Sequence, residues 1–401
     1  MRSVGIIAEY NPFHNGHAYQ LQKAKEASGA DFAVAVMSGD FVQRGEPAMF
    51  DKRLRAKWAL ENGADMVIAL PAPFALASAE AFALGGVTLL SKSGIADSIA
   101  FGSECGDTAL LCRAAEALGS EAEELKALIR SNISRGLSYP DGRARAFCKY
   151  FPSDIASALS SPNDILGIEY IRALRRTDAA LRPIAICRAG VAHDSARACG
   201  AFSSASSIRQ AIASGEAGPI RPYVPEGVYN DILGALGNAA PITLQSLSQE
   251  TVYALRRMDS EQLRALPDVS EGLENLIYSA CRANADIGSV LSAVKSRRYT
   301  MARLKRICMC ALLGIYGSPM KRPDGLFIRV LGIRREAQPL LSALHERSEL
   351  PVVMRYKDVA RLNEKQRELM AIELRCADIA ALGRPSPSPA ISDFSHPLII
   401  V

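Results

Sequence analysis

The sequence predicts an α/β protein, with a Rossmann-like domain built on a parallel sheet and a mainly α-helical C-terminal domain after it. Short apolar runs alternate with helical segments early in the chain, and a further apolar run returns at residues 182–188. Beyond residue 225 the helical periodicity is almost continuous. At 401 residues the chain is too long for one ordinary domain and fits two or three.

Five apolar segments of the first half are typical of short strands. They cover residues 4–8, 32–37, 65–70, 97–101 and 182–188. Helices are expected between them at 18–27, 51–62 and 78–90. This alternation implies parallel strands joined by crossover helices, and in such sheets ligands bind beyond the carboxyl ends of the strands.

The rest of the chain is expected to be largely helical. A first domain spans 1–217 and includes a helical insertion at about 107–176, and a second domain spans 218–401. Residues 218–225 hold three prolines and one glycine and are interpreted as the linker. Within the second domain we expect helices at 226–237, 248–256, 259–265, 270–283, 286–294 and 299–315, short strands near 327–331 and 352–355, and an irregular tail after residue 382.

Composition narrows the class of protein. The net charge of +5 is mildly basic and compatible with a nucleic-acid partner. Nine irregularly spaced cysteines argue against a disulfide framework, and the pair Cys308 and Cys310 lies in an apolar helical run that we interpret as core. We expect neither a leader peptide nor a membrane span, and therefore a cytoplasmic protein, with no protein partner evident.

The stretch 9–17, Glu-Tyr-Asn-Pro-Phe-His-Asn-Gly-His, joins the first strand to the first helix. We expect Asn15 to cap that helix and Gly16 to let the backbone pass close to a ligand. Free N–H groups at the helix start suit a phosphate, and His14 and His17 are close enough in sequence to bind one anion together. The alternative is that one histidine caps the helix while the other is solvated.

A polar, glycine-containing loop at 38–48 follows the second strand, and Arg44 within it could reach a phosphate or carboxylate. The alternative is a solvated surface loop. The helix after it carries a run of basic residues, which is usually a solvated face, although two of them could contact RNA. These residues are Lys52, Arg53, Arg55 and Lys57.

Three residues at the ends of other elements are candidates for the same crevice. Gly102 ends the fourth strand and could let a nucleotide approach the backbone, or be a plain turn glycine. Asn163 begins a helix and could bind a base edge or simply cap the helix. Arg188 ends the fifth strand, so its guanidinium should point into the crevice.

The stretch 203–209 predicts a second anion site. Ser206 and Ser207 offer hydroxyl and free N–H groups at a helix start, with Arg209 following one turn later. The alternative is ordinary capping by Ser206. The sequence has no phosphate-binding P-loop, no nucleophile-elbow serine and no clear zinc set, so we expect no metal held by the protein.

A segment at 295–306 has six basic residues in twelve and no acid. Met301, Leu304 and Cys308 have helical spacing and should face the core, which leaves the basic groups and Tyr299 mainly on the other face. That face suits phosphate contacts and base stacking, and the alternative is a solvated face. The candidate RNA-binding residues are Lys295, Arg297, Arg298, Tyr299, Arg303, Lys305 and Arg306.

The pattern His-x-Gly-His resembles the signature of the nucleotidyltransferase superfamily. In combination, seven blocks resemble the bacterial tRNA(Met) cytidine acetate ligase family more closely. They are 9–17, 38–48, 63–71, 101–104, 162–170, 206–209 and 295–306. Asp40 stands where an asparagine is more usual in that loop, which leaves the role of this position open.

The resemblance implies a two-step reaction. ATP and acetate form acetyl-adenylate and pyrophosphate, and the acetyl group passes to N4 of the wobble cytidine of elongator tRNA(Met). His14, His17 and Arg209 would neutralise charge on the pyrophosphate, with Mg²⁺ assisting. The ATP-binding set is Ile7, Ala8, Glu9, Tyr10, Asn11, Pro12, Phe13, His14, Asn15, Gly16, His17, Gln20, Gly102, Asn163 and Arg188, with Ser206 and Ser207 added from the second anion site.

Two other classes compete with this interpretation. One is an adenylyltransferase for a small phosphorylated metabolite, but such enzymes are usually shorter and lack a basic helical second half. The other is a non-catalytic RNA-binding protein with a nucleotidyltransferase fold. The intact histidine and Ser/Arg motifs argue against this second class.

Overall fold

The structure is a computed structural model that describes the chain except for residues 120–122, 138, 189–201, 239–240, 271, 322 and 385–392. Ten strands occur in the described residues. In chain order β1–β10 are Ser3–Ala8, Phe32–Ser38, Phe41–Val42, Glu46–Pro47, Met66–Leu70, Ser98–Ser103, Arg182–Cys187, Ile328–Ile333, Val352–Val353 and Ile399–Ile400. The five strands predicted in the first half are confirmed as β1, β2, β5, β6 and β7.

The main sheet has the order β10-β8-β5-β2-β1-β6-β7, and β9 pairs with β8. Strands β5, β2, β1, β6 and β7 are mutually parallel, as the alternating pattern predicted. The chain winds from β1 toward β5 on one side and toward β7 on the other. The direction of winding therefore changes between β1 and β6, where open α/β sheets form a ligand crevice.

The α-helices α1–α18 are, in chain order, Asn15–Ser28, Lys52–Glu61, Ala72–Ala75, Ala79–Lys92, Thr108–Gly119, Glu123–Ser134, Tyr139–Tyr150, Ser153–Ala158, Pro162–Arg176, Ala205–Ala213, Glu226–Asn238, Ser248–Arg257, Ser260–Arg264, Leu273–Ala283, Ile287–Val294, Met301–Leu313, Gln338–Arg347 and Glu364–Leu382. Short 3₁₀ turns cover Gly218–Tyr223, Gln245–Leu247, Pro319–Lys321, Pro323–Gly325, Arg335–Ala337 and Tyr356–Arg361. Helices α5–α9 fill the region predicted as a helical insertion. Among the described helices, none combines the length and hydropathy that a membrane span requires.

Alternating strand residues build a core on each face of the sheet. Val34 and Val36 of β2 pack into a cluster with α4, α5 and α9, whereas Ala33 and Ala35 pack into a cluster with α1, α2 and α10. A third cluster joins α12–α16 to one side of α18. It includes Cys308 and Cys310, both almost fully buried, so the interpretation of this pair as core is confirmed.

The C-terminal part returns to the sheet. Strand β8 pairs antiparallel with β5, and β10 pairs with β8, so the sheet draws on both sides of the division predicted at residue 217. That division stays a prediction. Residues 218–225, interpreted as a linker, lie packed on the sheet, because Ile220 and Val224 are buried in the same cluster as β1.

Two residues of the basic run on α2 are buried and do not belong to a solvated face. Arg55 is fully buried and donates hydrogen bonds to main-chain oxygens of Glu9, Ser38 and Phe50 at 2.6, 3.1 and 3.0 Å. Lys52 is buried between Asp40 and Asp393, at 2.9 and 2.8 Å. Both side chains fix loops under the crevice, which leaves neither available to RNA.

Candidate nucleotide site

A cavity of about 850 Å³ lies at the carboxyl ends of β1 and β6, where the sheet changes its winding direction. Its walls come from the loop after β1, the 38–48 loop, α9, the end of β7, α10 and the first turns of α16. The cavity therefore brings together most of the loops that the sequence selected.

His14 and His17 cap α1 together. The Nδ1 atom of His14 accepts the Gly16 N–H at 3.1 Å, and the Nδ1 atom of His17 accepts the His14 N–H at 3.2 Å. The prediction that Asn15 caps this helix is therefore wrong: its Nδ2 atom instead donates to the Pro222 carbonyl at 3.0 Å. The sequence left open whether one histidine caps and the other is solvated, and in the structure both cap and both line the cavity.

This capping fixes the chemistry of the two imidazoles. Because each Nδ1 accepts a backbone N–H, the proton of each neutral ring must sit on Nε2. Burial lowers the pKa of His14 to about 3, helped by the charges of Arg188 and Arg209. Burial, the charge of His14 and that of Arg188 also hold the pKa of His17 well below its usual value. Both rings therefore present neutral N–H donors.

Gly16 is constrained by the His14 ring in addition to lining the cavity. A Cβ at this residue would lie 2.9 Å from Cε1 and 3.0 Å from Nδ1 of His14. The ring of His14 thus occupies the space that any other residue would need at this position. The glycine of the His-x-Gly-His pattern is required by the capping imidazole itself.

Arg209 is anchored to the loop that carries the histidines. It donates to the main-chain oxygen of Asn11 at 2.9 Å and to Oγ of Ser206 at 3.1 Å. Burial lowers its pKa, with Arg44 acting in the same direction. Ser204, not Ser206, caps α10, since its hydroxyl accepts the Ser207 N–H at 3.1 Å.

The far wall joins β6, β7 and α9. Arg188 donates from Nη1 to Oδ1 of Asn163 at 3.4 Å, and the Asn163 amide donates to Oε1 of Glu104 at 2.5 Å. Helix α9 begins after Ser161, so Asn163 does not cap it through its own side chain. Gly102 lies on β6 beneath Arg188, and all three predicted residues line the cavity.

The 38–48 loop forms a short hairpin of β3 and β4, and its tip meets α16. Gly45 has φ +79°, and a Cβ there would lie 2.4 Å from the main-chain nitrogen of Arg306. The carbonyl of Gln43 accepts from Nη1 of Arg306 at 3.4 Å, and Glu46 forms an ion pair with Lys305. Arg44 also lines the cavity, so this loop is a wall of the site.

Similar proteins identify the family. Residues 1–392 of the chain match the family described as HIGH Nucleotidyl Transferase. The tRNA(Met) cytidine acetate ligases of Acetivibrio thermocellus and of Caldanaerobacter subterraneus subsp. tengcongensis are 36% and 37% identical to this chain, over 100% of both chains in each case. The chain belongs to the tRNA(Met) cytidine acetate ligase family of HIGH nucleotidyl transferases. The resemblance drawn from the seven sequence blocks is thereby confirmed.

Solved structures of this family have the same fold over the full chain. A crystal structure of Thermotoga maritima TmcAL bound with alpha-thio ATP matches with a TM-score of 0.90, at 29% identity over 100% of both chains. The apo form of the same protein matches with a TM-score of 0.92. The predicted fold class is confirmed. The cavity described above is consistent with ATP binding.

Most residues of the ATP-binding set lie around the cavity of this tRNA(Met) cytidine acetate ligase family member. Four members of the set do not line it: Pro12, Phe13, Asn15 and Ser207. Phe13 is fully buried and packs against His17 at a centroid distance of 5.5 Å. Sequence reasoning missed the apolar wall of Phe82, Leu166 and Tyr170, because an apolar residue on a buried helix gives no local sign of facing a cavity.

The basic segment predicted to bind tRNA is only partly a free surface. Tyr299 is 4% exposed, so its predicted place on a base-stacking face is wrong. Arg303 lies over the Tyr299 ring at 5.1 Å and donates to the Asp268 carbonyl, and Arg306 pairs with the Asp268 carboxylate at 3.3 Å. Lys295, Arg297 and Arg298 are exposed.

Proposed function

We propose that the protein is an ATP-dependent ligase that activates acetate as acetyl-adenylate and transfers the acetyl group to N4 of the wobble cytidine, position 34, of elongator tRNA(Met). The observation that carries this proposal is the convergence of two neutral imidazole N–H donors and the Arg209 guanidinium on one cavity. Full-length relatives that bear the name of this activity support it.

In the first step an oxygen of acetate attacks the α-phosphorus of ATP. A new O–P bond forms, and the bond from the α-phosphorus to the pyrophosphate oxygen breaks. The nucleophile is a substrate, so the protein holds ATP in line and neutralises the charge that grows on pyrophosphate. His14, His17 and Arg209 do this work, because their N–H groups are held in place before the reaction begins.

Mg²⁺ enters this scheme with the nucleotide. Among the described residues no group of three or more His, Cys, Asp and Glu side chains could hold a metal ion. Mg²⁺ in phosphate-transfer sites is commonly held by the substrate phosphates and water. We therefore assign Mg²⁺ to the phosphates of bound ATP.

The nucleoside end of ATP lies at the wall formed by Gly102, Asn163 and Arg188. Gly102 leaves the strand backbone open to a ribose or base, and the amide of Asn163 is oriented by Glu104 and Arg188. The apolar side chains of Leu166 and Tyr170 on the same wall suit a purine ring.

In the second step the wobble base leaves its stack, enters the cavity and accepts the acetyl group at N4. The exposed residues Lys295, Arg297 and Arg298 contact tRNA phosphates, and α16 leads from them to the cavity wall. In this proposal the tRNA lies on the side of the cavity where the tip of the β3–β4 hairpin meets α16.

The deciding experiment supplies purified protein with labelled ATP, labelled acetate and Mg²⁺, with and without tRNA(Met). Release of AMP and pyrophosphate, with labelled acetate entering RNA only when tRNA is present, supports the ligase. Transfer of AMP to another small molecule without acetate dependence points to a metabolite adenylyltransferase. Salt-sensitive RNA binding without turnover would mean that the protein binds RNA but is not an enzyme of this kind.

A further inference from the structure

Glu9 is the only carboxylate among the described residues that line the cavity, which also holds the guanidinium groups of Arg44, Arg188, Arg209 and Arg306. A carboxylate beside a triphosphate repels it, so nucleotide binding alone does not account for this side chain. Its presence in a cavity otherwise suited to anions points to a role other than binding phosphate.

Glu9 is held at both its main chain and its side chain. Its carbonyl accepts a hydrogen bond from buried Arg55 at 2.6 Å, and its Oε1 atom accepts the Gln43 N–H at 2.7 Å. Its Oε2 atom has no hydrogen-bond partner among the described residues. The carboxylate is therefore fixed in place with one oxygen available to a ligand in the cavity.

Glu9 faces the side of the cavity that the basic segment builds. The same Gln43 whose N–H binds Glu9 accepts a hydrogen bond from Arg306 through its carbonyl. Thr300, Ala302 and Arg306 continue this wall. Glu9 therefore lies, through Gln43, next to the wall along which we expect tRNA to deliver its base.

We propose that Glu9 is the general base of the second step and takes the proton that cytidine N4 loses as it is acetylated. This inference rests on the proposed function. The bond from N4 to the acetyl carbon forms, and the bond from that carbon to the α-phosphate oxygen breaks. AMP leaves with the electron pair, and the N4 proton passes to Glu9 and then to solvent.

The histidines cannot serve as this base. Each already accepts a backbone N–H at Nδ1, and each carries its proton at Nε2. Glu9 needs no unusual basicity, because N4 becomes cationic and strongly acidic once it has attacked the acetyl group. Arg55, Arg209 and Tyr170 lie within electrostatic range of Glu9.

The test separates the two steps in Glu9→Gln and Glu9→Ala. The first step is measured as acetate-dependent exchange of pyrophosphate into ATP, with a tRNA whose wobble cytidine is replaced by uridine and which therefore has no N4 amine. The second is measured as a single turnover of synthetic acetyl-adenylate with normal tRNA(Met). Glu9→Gln keeps an oxygen that can accept the Gln43 N–H, so the loop position is preserved.

We expect the transfer rate in Glu9→Gln to fall roughly 10²- to 10⁴-fold, in the range that general base catalysis contributes, and to fall far more than the exchange rate. Added formate should restore transfer in Glu9→Ala, which a structural role would not allow. An equal loss of both steps, or unimpaired transfer, would overturn the assignment. Failure of the wild-type protein both to exchange pyrophosphate in the presence of acetate and to acetylate normal tRNA(Met) would instead overturn the proposed function.

Discussion

The imidazole rings of His14 and His17 lie stacked, with centroids 3.7 Å apart and planes inclined by 21°. Each ring binds backbone through Nδ1, so the pair is locked as a unit at the start of α1. The two Nε2–H groups then emerge side by side at the positive end of the helix dipole, next to the cavity. One arrangement thus caps a helix and builds an anion site.

Substituting His17 by asparagine should separate these two roles. Asparagine can still accept the His14 N–H, so the melting temperature should change little, but the donor at Nε2 is lost. We expect the rate of acetyl-adenylate formation to fall roughly 10²- to 10³-fold, as for removal of one preorganised donor. His17→Ala is the comparison variant, which should also lose about 1 kcal/mol of stability with the cap. A rate in His17→Asn equal to wild type would show that Nε2 takes no part.

Stability should depend on pH through His14. Its pKa is about 3 in the folded protein, whereas an unfolded histidine titrates near its ordinary value, about 6.5. Between these values the unfolded chain binds the additional proton, so the free energy of unfolding falls as the pH drops from about 6.5 toward 3. Urea unfolding across this range should show a weaker fall in His14→Asn than in the wild type.

Glu373 should give the opposite dependence. It is buried beside Asp40 and Lys52, and burial raises its pKa to about 7. Between about 4.5 and 7 the folded protein binds the additional proton, so ionisation destabilises the fold as the pH rises through that window. The melting temperature of Glu373→Gln, relative to wild type, should therefore be higher at pH 8 than at pH 5. A constant difference between the two proteins across this range would contradict the buried, protonated carboxyl.

The sequence predicts local elements well because their signals are local. The five parallel strands are bounded apolar runs, and the His-x-Gly-His motif directly follows the first of them. Capping by a histidine was only the alternative to capping by Asn15, because asparagine is the commoner capping residue and the choice depends on a side-chain rotamer. A strand near the position of β8 was predicted, but its antiparallel pairing with β5 and the burial of Tyr299 depend on contacts between segments far apart in sequence, which periodicity does not reveal.

Lys52 should be critical to stability, whereas Asp40→Asn should be tolerated. Lys52 is buried with Asp40, Asp393 and Glu373; burial lowers its pKa, but the three carboxylates outweigh burial and raise it overall. Lys52→Met leaves these carboxylates without their shared cation and should cost about 3–5 kcal/mol of unfolding free energy. In Asp40→Asn the lysine keeps Asp393 at 2.8 Å, so the loss measured by urea unfolding should be clearly smaller. Equal losses in the two variants would contradict this account.

The contact between Gly45 and α16 should couple the hairpin to the tRNA side of the site. Gly45→Ala and Gly215→Ala place a Cβ on nearly the same left-handed backbone, with φ +79° and +81°. Only the first meets backbone, since nothing lies within 4 Å of a Cβ at Gly215. Both variants should share a strain of about 1–2 kcal/mol, and Gly45→Ala should lose further melting temperature and acetyl transfer to tRNA. Equal melting temperatures and equal transfer rates in the two variants would show that the hairpin shifts to accommodate the Cβ without affecting either property.

Arg298 and Tyr299 are adjacent but should behave differently toward RNA. Arg298 is exposed and Tyr299 is 4% exposed beneath Arg303. Arg298→Gln should weaken tRNA binding and reduce the slope of log K against log salt by about 1 if one phosphate contact is lost. Tyr299→Phe should leave both the affinity and the slope unchanged, because the ring packs in the core and does not stack on a base. Filter binding at several salt concentrations measures both variants. A loss of affinity in Tyr299→Phe with an unchanged melting temperature would mean that the segment rearranges to expose this ring when tRNA binds.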